Sequence, residues 1–316
     1  MRVFLTGGAG FLGCHVAAAL LRRGHELGML LRNPSRAWRL SSVLARCTII
    51  CGDLGEEDRL GPALKQFAPD AIIHLAWSGV TGRERNDQSQ WRNVDWTRSL
   101  AFLAADAGAR CWIGLGSQAE YGAQPAIVSE PSATNPVTEY GKAKLAACRA
   151  VQAICDGRRI RAVWLRLFSC YGPADHESYL LPYIILSLLR GEIPKLTKAE
   201  QRWDYLFVGE AAEAICRVLE TPAASGIFNL GSGKAVLLRE VIECVRDIVN
   251  PSSVLRFGAI AYGGSQIMHL QADIARLQAV TGWSPSLPLR DGVAVTAAWF
   301  RENLSRYDAD VRSSDR

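Results

Sequence analysis

Residues 5–13 read LTGGAGFLG, and they join a short apolar run to a longer amphipathic stretch. Two glycine spacings are present here, GxGxxG beginning at Gly8 and GxxGxxG beginning at Gly7. Glycines between a strand and a helix let the backbone approach a pyrophosphate, which then sits at the positive end of the helix. The stretch therefore predicts a dinucleotide-binding loop, and the alternative is a tight turn without a ligand. The expected cofactor-binding residues are Gly7, Gly10, Phe11, Leu12 and Gly13.

The chain on either side of this loop alternates short apolar runs with longer amphipathic ones. Strands are predicted at residues 2–6, 26–31, 47–51, 71–76, 111–116 and 160–168. Helices are predicted at residues 11–23, 56–67, 93–108 and 139–155. Strands that are each followed by a helix indicate βαβ units, so the predicted fold is α/β, a doubly wound parallel Rossmann sheet.

The regular alternation of strands and helices ends after Phe168. The loops and shorter elements that follow predict a smaller C-terminal α/β domain. We expect an NAD(P)-binding domain over residues 1–168 and a substrate-binding domain over residues 169–303. Residues 203–230 are expected to return to the first domain. The polar residues 304–316 are predicted to be a disordered tail.

Composition excludes several classes of protein. The 316 residues carry a net charge of +5 without a basic run, so we expect no nucleic-acid partner. The most apolar stretch, residues 179–189, is too short to span a bilayer and contains Pro182, so no membrane association is expected. The nine cysteines are dispersed without a CxxC pair or metal-ligand spacing. Together with an N-terminus unlike a signal peptide, this predicts a cytoplasmic protein without a metal site.

The end of the second predicted strand bears on which dinucleotide binds. Leu31 stands where an NAD site usually carries a carboxylate, and Arg32 follows, with Ser35 and Arg36 nearby. A guanidinium can pair with a 2′-phosphate, whereas a carboxylate would repel it. We therefore expect NADP, as NADPH. The alternative is NAD, with Arg32 a solvated loop residue.

Two other strand ends are expected to contact the cofactor. Asp53, after the third strand, can accept a hydrogen bond from the adenine amino group, with Leu54 packing on the ring. The alternative for Asp53 is the N-cap of the following helix. Leu75, Ala76 and Trp77 end the fourth strand and are expected to pass along the cofactor's ribose and phosphates.

Tyr140 and Lys144 are four residues apart in a predicted helix and therefore share one face. An ammonium about 4 Å from a phenol lowers the phenol pKa by less than one unit in water, but by roughly three units where water is excluded. We therefore expect Lys144 to bring the pKa of Tyr140 near neutrality beside a bound nicotinamide. Ser117, at the end of the fifth strand, can donate to a substrate oxygen. A phenol, a serine hydroxyl and a hydride donor that meet at one carbon indicate carbonyl/alcohol redox chemistry.

The sequence resembles the nucleotide-sugar epimerase/dehydratase/reductase branch of the extended short-chain dehydrogenase/reductase family. The resemblance runs from residue 1 to about residue 300, through TGGAGFLG, GDL, HLA, GSQAEYG, YGKAK, LRLFSCYGP, WDYLFVGEAAEAI, FNLGSG and GWSP. It implies that Ser117, Tyr140 and Lys144 form the catalytic triad and that the substrate is a nucleotide sugar. It also implies a homodimer formed through the helices predicted near 93–108 and 139–155.

Departures from the family pattern narrow the reaction. Gln118 and Ala119 follow Ser117 where dehydratases carry an Asp-Glu pair, so dehydration is set aside. Trp203 and Gly263 stand where many members carry arginines that grip the pyrophosphate, and Ser169 replaces an asparagine. The residues expected to bind substrate are Ser78, Gln118, Ser169, Arg202 and Trp203.

Three functions remain open at this point. The expected one is an NADPH-dependent 4-ketoreductase of a nucleotide-linked deoxy-sugar, because Arg32 favours NADPH. The alternative is an NAD-dependent nucleotide-sugar 4-epimerase that uses the same triad. The third is a regulatory NADP-binding protein without catalysis.

Overall fold

The structure is a computed structural model that describes residues 1–124, 127–263 and 266–308. The strands are β1 (Arg2–Thr6), β2 (Glu26–Leu31), β3 (Thr48–Cys51), β4 (Ala71–His74), β5 (Cys111–Ser117), β6 (Arg161–Leu167), β7 (Ser169–Tyr171), β8 (Arg202–Phe207), β9 (Gly226–Leu230), β10 (Ala235–Leu237) and β11 (His269–Leu270). The helices are α1 (Phe11–Arg22), α2 (Glu57–Phe67), α3 (Gln90–Asp106), α4 (Glu139–Arg158), α5 (Leu180–Leu189), α6 (Val208–Glu220), α7 (Leu238–Val249), α8 (Ala275–Thr281) and α9 (Leu289–Glu302). Within these residues, none of the helices has the length and apolar character that a membrane crossing requires.

Over the described chain, seven parallel strands form the larger sheet in the order β3-β2-β1-β4-β5-β6-β9. Side chains alternate between its two faces. Val3 and Leu5 pack in the core that contains α1 and α6, whereas Phe4 packs in the core that contains α2, α3 and α4. The predicted doubly wound parallel sheet is therefore confirmed. The strand order reverses between β1 and β4, and ligands of such sheets bind at the carboxyl ends of the strands there.

A smaller sheet lies in the C-terminal part. β8 pairs with β10 and β11 along its first half and with β7 along its second half. The helices α5, α7 and α9 share one apolar core beside it. The buried Asp204 carboxylate accepts hydrogen bonds from the backbone N–H groups of Ser232, Gly233 and Ala272. These contacts stabilise the loops that flank β8.

Two expected boundaries differ from the structure. Residues 203–207 do not return to the larger sheet, because β8 pairs only within the smaller one over the described residues; α6 and β9 do return. Residues 304–308 are not a disordered tail, because they continue in helical conformation and Tyr307 is buried. The Tyr307 hydroxyl donates to the Asp175 carbonyl at 2.9 Å. The rest of the predicted tail, residues 309–316, lies outside the described residues.

Candidate active site

The glycine loop is packed too closely for side chains at two of its positions. Gly7 has a φ of +75°, and an added Cβ there would lie 2.6 Å from the Ala76 nitrogen. A Cβ on Gly13 would overlap the Gly7 carbonyl. The GxxGxxG spacing that begins at Gly7 is therefore the one that the backbone requires. In this described segment Gly10 precedes α1 and no side chain caps the first turn, which leaves its N–H groups free for a phosphate.

The carboxyl ends of β2 and β3 bring a cation and an anion together. Arg32 Nε lies 3.9 Å from Asp53 Oδ2, and the Arg32 side chain is 82% exposed. Asp53 is not a helix cap, because α2 begins at Glu57 after Glu56. The hydroxyl of Ser35 donates to Asn33 Oδ1 at 2.7 Å, so the 34–36 turn satisfies it internally. The site thus offers a carboxylate as well as a guanidinium near the expected adenosine ribose.

Leu54 and Arg36, also expected near the adenosine, differ in their surroundings. Leu54 is buried and packs in the core of α2, α3 and α4, so at most its edge is available to an adenine ring. Arg36 is exposed in a short 3-10 turn, Pro34–Arg36, that follows β2. Of the two arginines expected at the 2′ position, only Arg32 is paired with Asp53 within the described residues.

The loop after β4 is fixed by side chains of α3. Trp77 Nε1 donates to Gln90 Oε1 at 2.8 Å, and the Ser78 backbone N–H donates to Asn93 Oδ1 at 2.8 Å. Leu75 and Ala76 precede them, and Leu75 N–H donates to the Thr6 carbonyl at 3.1 Å. Because Ala76 also faces Gly7, the glycine loop and the β4 loop form one continuous surface.

Lys144 is 3% exposed and lies between β5 and Trp77. Its ammonium donates to the Leu115 carbonyl at 2.7 Å and lies 3.7 Å from the centroid of the Trp77 ring. Burial lowers the pKa of Lys144 to about 7, against a smaller opposing effect of the Glu120 charge. At neutral pH this ammonium is therefore readily deprotonated.

Tyr140 is 8% exposed and stands at the start of α4. Burial raises the pKa of its phenol, while the charge of Arg85 and the hydroxyl of Ser117 lower it. The Lys144 ammonium is 5.8 Å from the Tyr140 ring centroid and is directed to other partners. In this arrangement desolvation raises the Tyr140 pKa, and the cation that opposes it is Arg85. The lower pKa expected from Lys144 beside a bound nicotinamide stays a prediction.

Ser117 ends β5 and forms hydrogen bonds with two residues that follow it in the chain. Its N–H donates to Glu120 Oε1 at 2.9 Å, and its hydroxyl accepts from Ala119 N–H at 3.2 Å. The buried Glu120 carboxylate also accepts from Arg166 Nε at 2.8 Å and from Trp164 Nε1 at 2.9 Å. The Glu120 carboxylate is thus satisfied by buried donors, and it contacts the backbone N–H of Ser117 rather than its hydroxyl.

Of the residues expected to bind the sugar, the structure brings Ser169 and Trp203 into contact with each other. Trp203 Nε1 donates to the Ser169 hydroxyl, so the structure joins these two across β7 and β8. Arg202 is exposed and donates to the Ala235 carbonyl at 3.5 Å. Adjacent strand residues project to opposite faces, so Arg202 does not share the face of Trp203. Gln118 is half-buried directly after Ser117, and the backbone of Ser78 is held by α3.

Sequence reasoning missed Arg85. Its guanidinium carbon lies 4.2 Å from the centroid of the Tyr140 ring. The residue belongs to a short 3-10 turn, Gly82–Asn86, and Gln90 Nε2 donates to the Glu84 carbonyl at 2.9 Å. A basic residue in a loop at the ligand-binding edge was a visible signal, but the loop's conformation depends on α3, which the local sequence does not reveal.

The start of α4, which carries Tyr140, packs against the end of β5, which carries Ser117, beside a strand-end surface that begins at the glycine loop. This arrangement is typical of NAD(P)-dependent enzymes of the extended short-chain dehydrogenase/reductase type. The chain belongs to the NAD dependent epimerase/dehydratase family, whose sequence model matches residues 3–231. The resemblance found in the sequence is thereby confirmed.

Several proteins of known activity are similar over nearly the whole chain. A UDP-glucose 4-epimerase of Mycolicibacterium smegmatis is 27% identical over 95% of this chain and 99% of its own. A dTDP-6-deoxy-L-talose 4-dehydrogenase (NAD(P)(+)) of Kitasatospora kifunensis is 27% identical over 96% of both chains. The solved structure of MoeE5 in complex with UDP-glucuronic acid and NAD is 26% identical, with a TM-score of 0.85 over 96% of this chain and 100% of that one.

Proposed function

We propose that the protein is an NAD-dependent epimerase that acts at C4 of a nucleoside-diphosphate sugar. The observation that carries the proposal is the packing of Tyr140 against Trp77, whose loop is continuous with the glycine loop, at the start of a helix that closely contacts the backbone just after Ser117. When a sugar carbon that bears a hydroxyl is placed there, its hydroxyl can lose a proton on one side while the carbon loses a hydride on the other. The similarity to a UDP-glucose 4-epimerase favours this reaction over the ketoreductase that was expected from the sequence, and the NAD bound to MoeE5 favours this cofactor.

The protein's part in the reaction is proton transfer and orientation. Tyr140, as phenolate, accepts the proton of the C4 hydroxyl as the C4–O bond becomes a carbonyl, and it returns that proton when the carbonyl is reduced. Ser117 donates a hydrogen bond to the same oxygen in its carbonyl state. The glycine loop and the uncapped first turn of α1 would hold NAD, which would supply the hydride acceptor and donor for the two faces of C4. The net reaction consumes no reductant, as an epimerisation requires.

The residues around the glycine loop fit NAD. The open first turn of α1 suits a pyrophosphate, because its N–H groups are uncapped in the described structure. Asp53 supplies a carboxylate near the position where Leu31 lacks one, and it partly neutralises Arg32. A 2′-phosphate at this position would meet both charges, whereas two ribose hydroxyls can donate to Asp53. This pairing favours NAD over NADPH.

An assay of purified protein tests the proposal directly. UDP-linked and dTDP-linked glucose, N-acetylglucosamine and glucuronic acid are incubated with the protein and NAD, and the products are separated by chromatography and identified by proton NMR. We expect a C4 epimer to accumulate without net change in nicotinamide absorbance. Reduction of a 4-keto sugar with stoichiometric loss of NADPH, and no epimerisation, would overturn the proposal.

The second candidate is a 4-ketoreductase that acts on a nucleotide-linked deoxy-sugar. The specific observation in its favour is the 82% exposure of the Arg32 side chain, which leaves it free to reach a 2′-phosphate. The similarity to a dTDP-6-deoxy-L-talose 4-dehydrogenase points the same way. The same incubation with NADPH and a 4-keto sugar separates the two reactions, because only the reductase consumes NADPH.

We also infer a homodimer formed through α3 and α4. These helices pack together, and Trp91 Nε1 donates to Glu139 Oε2 at 3.0 Å. Trp91 and Phe102 remain 40% and 42% exposed, more than large apolar residues usually are. Sedimentation of the wild type should give a dimer, and Phe102→Glu should give a monomer. A monomeric wild type at micromolar concentration would contradict the inference.

A further inference from the structure

We propose that Arg85 is a positioning residue that stabilises the phenolate of Tyr140 from the face of its ring. This role rests on the proposed function in one respect, that Tyr140 alternates between phenol and phenolate. Arg85 is thus a second cation that acts on the phenol, in addition to the one expected from Lys144.

The Arg85 guanidinium lies closer to the centre of the Tyr140 ring than the Lys144 ammonium does. The Arg85 guanidinium carbon is 4.2 Å from the Tyr140 ring centroid, against 5.8 Å for the Lys144 ammonium. A cation within about 6 Å of an aromatic centroid and over its face is attracted by the ring's quadrupole. Ionisation of the phenol adds negative charge to the ring, so the attraction is stronger for the phenolate.

The turn that carries Arg85 is held in place by contacts that do not involve Tyr140. Gln90 Nε2 donates to the Gly79 carbonyl at 2.7 Å and to the Glu84 carbonyl at 2.9 Å. Arg85 Nη1 donates to the Val80 carbonyl at 3.3 Å. Gln90 is itself buried on α3, so the guanidinium is presented from a fixed support.

Other groups face the phenol from each neighbouring element. The Ser117 hydroxyl, on β5, lowers the Tyr140 pKa, while the Glu120 charge and the Tyr179 phenol raise it. Glu120 is paired with Arg166 at 2.8 Å, which reduces its effect. Across residues 1–124, 127–263 and 266–308, no carboxylate forms an ion pair with Arg85, so its charge is not cancelled locally.

Lys144, on the same helix as Tyr140, differs from Arg85 in how its charge depends on pH. Burial lowers the Lys144 pKa to about 7, so the ammonium is partly neutral where the reaction is expected to run. A guanidinium remains charged at every accessible pH. Arg85 is therefore the cation whose support for the phenolate does not decline as the pH rises.

The test is a fluorine NMR titration of protein that contains 3-fluorotyrosine, which needs neither substrate nor turnover. The Tyr140 resonance is assigned by its loss in Tyr140→Phe. We expect Arg85→Met to raise the titration midpoint of Tyr140 by about one pH unit, the size of a partly desolvated cation–π contact. Arg85→Lys should raise it less. Arg83→Met, which changes the same charge on an exposed neighbour, should leave it unchanged.

Kinetics supply a second readout if the protein is an active epimerase. The pH at which kcat/KM rises with ionisation of the base should shift upward in Arg85→Met by the same amount. An unchanged Tyr140 midpoint in Arg85→Met, or an equal shift in Arg83→Met, would overturn the inference. A higher KM without a shifted pH profile would also overturn it, by making Arg85 only a substrate contact. Absence of epimerase activity would instead refute the proposed function and leave the NMR result to decide on Arg85.

Discussion

The ammonium of Lys144 lies 3.7 Å from the centre of the Trp77 ring, closer than its 5.8 Å separation from the Tyr140 ring. Trp77 is anchored by Gln90, so the indole provides a fixed apolar wall over the buried lysine. Lys144 is therefore placed to influence the β4 loop and the cofactor site, while the guanidinium of Arg85 covers the phenol. The structure therefore places two cations near Tyr140, of which the guanidinium of Arg85 is nearer to the ring.

Replacing Tyr140 with phenylalanine removes the hydroxyl that we propose transfers the proton. We expect turnover to fall by about 10²- to 10⁴-fold, the usual contribution of a positioned general acid or base. NAD binding should be retained, because the ring keeps its packing against Trp77. Steady-state kinetics and a cofactor titration measure the two effects separately. Unimpaired turnover in Tyr140→Phe would exclude the proposed mechanism, and no turnover in either protein would favour a regulatory binding protein.

The buried Lys144 makes a signed contribution to the pH dependence of stability. Its pKa is about 7 in the folded protein and about 10.4 when unfolded, so between these values the unfolded chain binds more protons. Stability attributable to this group therefore rises with pH from about 7 to about 10. We expect the free energy of unfolding of the wild type, minus that of Lys144→Met, to increase between pH 7 and pH 9.5.

Urea unfolding of both proteins at each pH gives this difference. Other titrating groups, including the buried cysteines, are common to the two proteins and cancel to first order. Lys142→Met is the matched control, because Lys142 is exposed and paired with Glu139 on the surface of the same helix. A difference that does not change with pH would mean that Lys144 is not desolvated in the folded protein.

The Arg32–Asp53 pair should set the preference between the two nicotinamide cofactors. Asp53→Asn removes a negative charge, and we expect it to tighten NADPH binding relative to NADH by roughly fivefold, since partly exposed charges interact by about 1 kcal/mol. Arg32→Ala should change the ratio in the opposite direction. Fluorescence titrations with NADH and NADPH measure both ratios. Arg36→Ala serves as control, and an effect as large as that of Arg32→Ala would show that the 3.9 Å pair is not decisive.

The buried Glu120–Arg166 pair should be important for stability. Glu120→Gln leaves the Arg166 guanidinium buried without its counter-charge, and removal of one partner of such a pair costs about 3 kcal/mol or more. Because the Glu120 carboxylate also accepts the Ser117 N–H, turnover should fall with stability. Glu56→Gln, in an exposed pair with Arg59, should cost about 1 kcal/mol or less. Equal losses of unfolding free energy in the two variants would contradict the prediction.

The sequence by itself determined the larger sheet, the glycine loop and the placement of Tyr140 and Lys144 on one helix. Apolar runs alternating with amphipathic helices leave few topologies, because a parallel strand requires a crossover that packs on the sheet. The glycine spacing from Gly7 to Gly13 is local, and so is the one-turn separation of Tyr140 and Lys144. Features with a range of a few residues were therefore correctly predicted, whereas the cofactor preference and the ranking of reactions rested on one arginine.

Only the tertiary structure decided which side chains from distant parts of the chain come into contact. Arg32 and Asp53 come together because β2 and β3 are neighbours in the sheet, and Ser169 meets Trp203 because β7 pairs with β8. Arg85 reaches the phenol of Tyr140 because side chains of α3 fold the β4 loop back across the start of α4. The pKa of a buried group depends on desolvation and on charges brought from distant parts of the chain, and neither quantity is encoded in the spacing of two residues on one helix.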